Sequence, residues 1–349
     1  MSAIPDTQRT WVVVRQGKPK KALELKEAWP VPKKLEPGQV LVRVQAAALN
    51  PVGWKVMRAL PTIFSKRPHP AEHDFSGVVV DANGSKFATG DNVYGWIPTD
   101  LQFKTKEGVL THYLRVHEDY IVKRPENVTP TQAAGITLTA MTAYQALAHA
   151  KLEAEQTILI NGGSSAVGAF AIQIAKAKGA KVYTTASAKN EEYVRKLGAD
   201  EFIDYTKGSL VEHLSKNPPS PKFHVIYDAV GLVDPSLFTY SAKYLAPGGI
   251  FISTGPLPHG WGDTWNVIRT FGAIAIPSWL GNVNRKYAIL FAENKVADME
   301  EIRKLVENGS VKPVVDSVYE FDDALKAYDR ILTLRATGKV VIKMDSTAA

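Results

Sequence analysis

The chain of 349 residues contains no cysteine, which excludes disulfides, thiolate zinc sites and cysteine nucleophiles. It also has no hydrophobic run close to the ~20 residues that a helix needs to cross a bilayer. The first ten residues contain no apolar segment of the signal-peptide type. We therefore expect a cytoplasmic protein that does not associate with membranes.

Clusters of basic residues are missing as well, although the net charge is +7. Lysine and arginine are scattered and are not interleaved with aromatic residues, so we expect no nucleic-acid partner. The positive balance is typical of a solvated surface that attracts an anionic cofactor. With 45% apolar and 22% charged residues, the composition is that of a globular protein, and the length predicts two domains.

The clearest motif spans residues 157–187. A short apolar strand (157–161) runs into a glycine-rich turn, an apolar helix follows, and a second strand ends near Ser187. In this context a glycine-rich turn is typical of a dinucleotide site, because the helix N-terminus offers free N–H groups to a pyrophosphate. The predicted cofactor-binding residues of the turn are Gly162, Gly163, Ser164, Ser165, Ala166, Val167 and Gly168.

Each glycine in this turn has an expected task. Gly162 and Gly163 permit the tight turn, and Gly168 lets the helix lie close to the strand. Ser165 replaces the middle glycine of the usual G-x-x-G-x-x-G pattern. Its hydroxyl is a candidate donor to the pyrophosphate.

The segments on either side of this motif differ in character. Short strands predicted at 11–15, 39–46, 75–81, 90–95, 111–116 and 120–123 indicate a β-rich domain. A helix is predicted over 131–149. Strands at 157–161, 180–187, 201–205, 224–230, 249–254 and 272–276 then alternate with helices, which predicts an α/β fold with a doubly wound parallel sheet. Helices at 299–308 and 321–334 and a strand at 338–343 return to the first domain.

Several stretches together resemble a known family: ALNPVGWK (48–55), DFSGVV (74–79), GDNVYG (90–95), LTAMTAYQAL (138–147), LAPGG (245–249) and RATGK (335–339). With the loop at 161–168, they resemble the zinc-independent quinone oxidoreductase (zeta-crystallin-like) branch of the medium-chain dehydrogenase/reductase superfamily. The resemblance implies a GroES-like catalytic domain (1–128 and 283–349) and an inserted Rossmann domain (129–282), with the active site in the cleft between them. It also implies a small-molecule substrate and is compatible with a homodimer.

The end of the second strand indicates the cofactor. An NAD site normally places an acidic residue there to hold the ribose 2′-hydroxyl, whereas residues 184–190 read TTASAKN. Ser187 and Lys189 can donate to a 2′-phosphate instead, although Lys189 is equally compatible with a solvated loop. We therefore predict NADPH.

The resemblance adds Tyr205 and Arg335 as further contacts to that phosphate, although Arg335 is equally compatible with a surface salt bridge. It places Thr142 near the nicotinamide, where a packing role is an equal alternative. Val230, Gly231 and Thr254 complete the predicted cofactor site.

No metal is expected. His73 and Asp74 stand where zinc-dependent relatives carry Gly-His-Glu, but those enzymes use two cysteines and one histidine, and this chain has no thiolate. We interpret His73 as a polar residue of the cleft. Without a Lewis acid, hydride transfer to a conjugated acceptor is easier than oxidation of an alcohol, because a quinone or enone delocalises the developing charge.

Asn50 and Lys55 are the catalytic candidates, because the amide of Asn50 and the ammonium of Lys55 can donate to a substrate oxygen. Asn50 is also compatible with a plain turn before Pro51. Gly53 replaces the aspartate of the family's Asn-Pro-x-Asp-x-Lys motif. The sequence thus favours an NADPH-dependent reductase of quinones or α,β-unsaturated carbonyls; the alternatives are a zinc-independent alcohol or aldehyde reductase and a non-catalytic NADPH-binding protein.

Overall fold

The computed structural model describes residues 4–256, 261–276 and 283–345. By internal contacts the chain divides into two units. The first contains Met1–Thr139, Glu293–Gly309 and Pro313–Ala349, and the second contains Ala140–Ala292 with Ser310–Lys312. The main unit boundaries therefore fall at 139/140 and 292/293, with residues 310–312 also assigned to the second unit; the sequence suggested 128/129 and 282/283. No helix in the described ranges is both long and apolar enough to cross a membrane.

The N-terminal stretch is rich in short strands, as its β-branched residues predict. Its strands are β1 (Thr7–Val13), β2 (Leu23–Pro30), β3 (Gln39–Ala48), β4 (His69–Pro70), β5 (Asp74–Asp81), β6 (Asn92–Trp96), β7 (Tyr113–His117) and β8 (Ile121–Lys123). Its helices are α1 (Pro19–Ala22), α2 (Pro51–Ala59), α3 (Thr62–Ser65) and α4 (Thr99–Thr105).

The middle of the chain alternates helices and strands. Its helices are α5 (Pro130–Ala134), α6 (Thr137–His149), α7 (Ala166–Ala177), α8 (Glu191–Lys196), α9 (Leu210–Lys216), α10 (Ser236–Thr239) and α11 (Thr264–Ala275). Its strands are β9 (Thr157–Asn161), β10 (Lys181–Ala186), β11 (Glu201–Asp204), β12 (Phe223–Asp228), β13 (Leu245–Ser253) and β14 (Lys286–Ile289). The C-terminal stretch adds α12 (Val296–Glu307), β15 (Val315–Glu320), α13 (Ala324–Leu332) and β16 (Lys339–Lys343).

The sheet of the second unit has the order β11-β10-β9-β12-β13-β14, with every pair parallel. This is the Rossmann order, and it confirms the predicted doubly wound sheet. Strand β9 lies in the middle and is buried along its whole length, as its continuous apolar sequence predicts.

The first unit contains a seven-stranded sheet in which β3 pairs with β5, β7 and β16. Because β16 comes from the far end of the chain, the N- and C-terminal stretches share one sheet. Beside it, α5 packs against the alanine-rich end of β3. A smaller sheet joins β1, β2 and β4.

Two predicted elements were wrong. Of residues 272–276, predicted as the sixth strand, 272–275 form the end of α11 and Ile276 caps it, and the sixth strand is β14. The helix predicted over 131–149 is two helices, α5 and α6. Thr129 and Gln132 form a capping box with Pro130 in the first turn of α5, and that helix ends at Gly135.

Candidate active site

The glycine-rich loop at 162–168 joins β9 to α7, and its three glycines are required for three different reasons. Gly162 adopts φ +85°, and a Cβ there would lie 2.3 Å from Val230 Cγ1. A Cβ on Gly163 would lie 2.0 Å from Thr184 Oγ1. A Cβ on Gly168 would lie 2.2 Å from the Gly162 carbonyl oxygen. Larger side chains are therefore excluded where the backbone must lie open to a ligand.

Ser165 is the N-cap of α7. Its Oγ accepts a hydrogen bond from the N–H of Gly168 at 3.0 Å, which satisfies one of the four N–H groups that a helix leaves without a carbonyl partner. The N–H groups of Ala166 and Val167 open the helix and are placed for an anion. Residues 164–167 are half-buried, so the N-terminus of α7 is accessible.

A buried polar network, which the sequence analysis missed, anchors this loop. Asp228 Oδ1 accepts from Asn161 Nδ2 at 3.0 Å, and Asn161 Oδ1 accepts from Thr185 Oγ1 at 2.7 Å. Thr185 Oγ1 in turn accepts from the N–H of Gly162 at 2.9 Å. Burial raises the pKa of Asp228. The network links β12, β9 and β10 near their carboxyl ends and so fixes the position at which the loop begins. In the sequence, this network is indicated only by a polar residue at or near the end of each apolar strand.

Ser187, Lys189 and Tyr205 meet at the same edge of the sheet, because Ala186 at the end of β10 pairs with Asp204 at the end of β11. Ser187 is half-buried, whereas Lys189 and Tyr205 are exposed. Asp204, which directly precedes Tyr205, brings a carboxylate to this edge. Its Oδ1 accepts from the N–H and hydroxyl of Thr206 at 3.0 and 2.7 Å, so the carboxylate caps its own turn.

Val230, Gly231 and Thr254 follow β12 and β13 at this edge. Val230 packs over Gly162, and Gly231 adopts φ +72°. The N–H of Thr254 donates to the carbonyl of Asp228 at 3.2 Å, while its hydroxyl is buried with no partner among the described residues. A dinucleotide therefore fits the edge: it has a glycine cradle, an open helix N-terminus and an unused buried hydroxyl.

The other two predicted cofactor residues are on other elements of the fold. Thr142 is buried on α6, in the second unit. Arg335 is exposed on the segment between α13 and β16, in the first unit.

Asn50 lies in the first unit, fully buried in a charged cluster. Its Nδ2 donates to Asp74 Oδ2 at 3.0 Å, and its Oδ1 accepts from Lys339 Nζ at 2.6 Å. Lys339 and Asp74 also form a buried ion pair at 3.1 Å. Both ends of the Asn50 amide are therefore used inside the fold, immediately before α2 begins.

Lys55 lies on α2, one turn further along the chain. Burial lowers the pKa of its ammonium group. The Nζ lies 5.4 Å from the ring centroid of Trp54 and forms no ion pair within the described ranges. A half-buried lysine without a carboxylate partner is suited to donate a hydrogen bond or a proton.

Glu72, which the sequence analysis did not consider, contacts Asn50. Its Oε1 accepts from the Tyr328 hydroxyl at 2.6 Å, and its Oε2 accepts from the N–H of Asn50 at 3.1 Å. Burial raises the pKa of this carboxyl to about 7. No motif in the sequence marks Glu72, because its partner Tyr328 lies 256 residues away.

His73 is buried, and its Nδ1 donates to the carbonyl of Ile97 at 2.8 Å. Burial lowers the pKa of its imidazole. Across the described residues, no three His, Cys, Asp or Glu side chains are grouped to hold a metal ion.

Family comparisons agree with this geometry. Residues 36–126 match the alcohol dehydrogenase GroES-like domain, and residues 197–342 match the zinc-binding dehydrogenase family. The trans-enoyl reductase pgmF of Aspergillus terreus is 32% identical and covers 99% of both chains. The chain belongs to the medium-chain dehydrogenase/reductase superfamily. This confirms the resemblance seen in the sequence, and the chain is therefore an oxidoreductase.

Other relatives in the superfamily carry related activities. The chloroplastic NADPH-dependent alkenal/one oxidoreductase of Arabidopsis thaliana is 32% identical, over 98% of this chain and 81% of that protein. The structure of the quinone oxidoreductase from Coxiella burnetii superposes with a TM-score of 0.78 at 25% identity, over 97% of this chain and 99% of that one. These similarities confirm the GroES-like and Rossmann-type architecture.

Proposed function

We propose that the protein is an NADPH-dependent reductase that transfers a hydride to a quinone or an α,β-unsaturated carbonyl compound without a metal. The observation that carries the cofactor assignment is that β10 and the residues after it (184–190) contain no acidic residue, while the neighbouring Asp204 is already engaged by Thr206. Ser187, Lys189 and Tyr205 offer two hydroxyls and an ammonium group there, and such donors suit a 2′-phosphate.

The names of two relatives support the substrate class. One reduces alkenals and alkenones with NADPH, and the other is a quinone oxidoreductase. Both kinds of acceptor conjugate a carbonyl with a double bond, so the charge that arrives with the hydride spreads onto oxygen. Both reactions therefore need a group that stabilises the negative charge on the substrate oxygen.

The chain's own residues have distinct tasks in this proposal. The nicotinamide supplies the hydride when the cofactor is bound. The α7 N-terminus and the loop at 162–168 bind the pyrophosphate, and Lys189 holds the 2′-phosphate. Lys55 carries a proton on Nζ for the substrate oxygen, and Asn50 holds the start of α2 through Lys339 and Asp74.

The test is a panel of acceptors assayed with NADPH and with NADH. We expect enones, enals or quinones to be reduced with NADPH, and simple aldehydes to be poor substrates. A specificity constant with NADH equal to or above that with NADPH would overturn the cofactor assignment. Activity confined to simple aldehydes would favour the alternative carbonyl reductase.

A matched pair of lysine variants tests the phosphate site. Lys189→Ala removes a charge-assisted contact, so the KM for NADPH should rise about tenfold while the KM for NADH stays unchanged. Lys178→Ala is the control, because Lys178 is an exposed lysine at the opposite end of α7. Equal effects of the two variants on NADPH would remove Lys189 from the site.

A further inference from the structure

Glu72 has a backbone conformation that usually requires glycine, and Gly53 occupies a helical position that usually holds another residue type. Glu72 adopts φ +66°, in the left-handed region where glycine is favoured. Gly53 lies inside helix α2, where glycine is disfavoured. Backbone strain of this kind persists where the surrounding contacts hold it and often marks functional positions.

The Glu72 carboxylate occupies the space that a side chain at residue 53 would need. A Cβ on Gly53 would lie 2.3 Å from Glu72 Oε1, 2.8 Å from Oε2 and 2.7 Å from Cδ. The Glu72 carboxylate therefore lies against α2 where a side chain of residue 53 would be. Gly53 makes room for it, and no other residue type could do so with this arrangement of Glu72.

The carboxylate connects α2 to the rest of the first unit. It accepts from the N–H of Asn50, at the start of α2, and from the hydroxyl of Tyr328 on α13. The main-chain carbonyl of Glu72 accepts from Gln102 Nε2 on α4 at 3.2 Å. Side chain and backbone of Glu72 thus fix one end of the helix that carries Lys55.

We propose that Glu72 is a positioning residue for the reaction: from a strained backbone position it supplies the carboxylate that Gly53 accommodates, and this carboxylate holds the Asn50–Lys55 turn in its working geometry. The role in catalysis rests on the proposed function. The sharing of one carboxylate site by positions 53 and 72 rests on the geometry alone.

Exchange of the two side chains tests the proposal. Gly53→Asp alone drives a second carboxylate into Glu72, and Glu72→Gly alone leaves Asn50 N–H and the Tyr328 hydroxyl without an acceptor. Each should lower kcat with an enone and NADPH at least about tenfold. The double variant places one carboxylate on residue 53 and glycine at the left-handed position, so kcat should return to within about threefold of the original protein.

Two controls separate positioning from simple loss of stability. Gly272→Asp puts an aspartate into another helix at a glycine with open space around it, and Glu155→Gly relieves an exposed left-handed glutamate. Both should leave kcat unchanged. In every variant the KM for NADPH should stay within about twofold, because the residues of the glycine-rich loop belong to the other unit. Unfolded protein lowers the apparent kcat without changing KM, so kcat is calculated per folded molecule, with the folded fraction at the assay temperature taken from each variant's unfolding curve.

The outcomes are distinct. A double variant whose unfolding midpoint recovers but whose kcat stays as low as that of Glu72→Gly would overturn the positioning role. A double variant with a midpoint below both single variants would overturn the shared site. If the original protein reduces no acceptor in the panel, the proposed function and the catalytic role fall together, whereas the midpoints of the four proteins still decide the shared site.

Discussion

The conformation of the glycine-rich loop at 162–168 depends on the absence of single Cβ atoms. The loop at 162–168 is closed by contacts from Val230, Thr184 and its own backbone, each within 2.3 Å of a Cβ that the glycines lack. Elsewhere in the second unit Gly272 has nothing within 4 Å of such an atom. The same residue type is therefore indispensable in one place and replaceable in another.

Gly168→Ala should damage the nucleotide site. Its Cβ would lie 2.2 Å from the Gly162 carbonyl oxygen and force α7 away from the loop, so we expect a loss of about 2 kcal/mol in the free energy of unfolding and at least tenfold weaker NADPH binding. Gly272→Ala, within α11, should instead stabilise the protein by about 0.5–1 kcal/mol. Chemical unfolding and NADPH titration check both; equal behaviour of the two variants would contradict the close approach.

Glu72 should give the stability of the protein a pH dependence. Its pKa is raised from 4.5 to about 7 in the fold, so the folded chain binds the proton more tightly than the unfolded chain. This group therefore destabilises the fold progressively as the pH rises from about 4.5 to about 7, and by a constant amount above that.

Comparison with Glu72→Gln isolates this effect, because glutamine does not titrate. The unfolding free energy of the original protein minus that of the variant should fall by about 3 kcal/mol across this window. A difference that is constant with pH would show that Glu72 keeps its ordinary pKa. The surrounding titratable groups are common to both proteins: Arg67, His69, His73, Asp74, Tyr328 and Lys339.

At the scale of elements, helix ends that carry local signals were predictable. Pro130 marks the start of α5. Ser165 is also a helix-start signal, although the sequence analysis considered it only as a donor to the pyrophosphate. The strand predicted over 272–276 was wrong. The segment Gly-Ala-Ile-Ala-Ile places a β-branched isoleucine at every second position after a glycine, which is typical of a strand. In the structure these residues end α11, on which Trp265, Ile268 and Phe271 are exposed at helical spacing.

The cap of α7 should contribute to stability separately from cofactor binding. Ser165→Ala removes the acceptor of the Gly168 N–H and should cost about 1 kcal/mol, whereas Ser165→Gly should cost only a few tenths. Urea unfolding without cofactor measures both. If both variants bind NADPH as the original protein does, the hydroxyl serves the helix alone and does not contact the pyrophosphate.

At the scale of the whole molecule, the sequence indicated the six-stranded sheet but not the buried cluster. The strand, turn and helix around 157–187 are neighbours in the chain, so local pattern was enough. The contacts of Glu72 with Tyr328 and of Asn50 with Lys339 span 256 and 289 residues. No local pattern carries such pairs, and the fold must be known before they appear.

The absence of cysteine from the whole chain leads to a prediction about metal. With no thiolate and no suitable group of three ligands among the described residues, dialysis against a strong chelator should leave the specific activity with an enone within about twofold. Elemental analysis of the purified protein should find far less than one zinc per chain. Stoichiometric zinc, with activity lost on chelation and regained with zinc, would contradict the metal-free mechanism.

The buried pair of Lys339 and Asp74 also has a consequence for synthesis of the protein. On the ribosome, Asp74 emerges long before Lys339, and a buried carboxylate without its partner is strongly destabilising. The first unit therefore cannot be completed until β16 has left the exit tunnel, whereas the second unit, which ends at Lys312, has emerged before that. We therefore expect the second unit to fold first in nascent chains, whereas the residues around Asn50 become ordered only after β16 has been added.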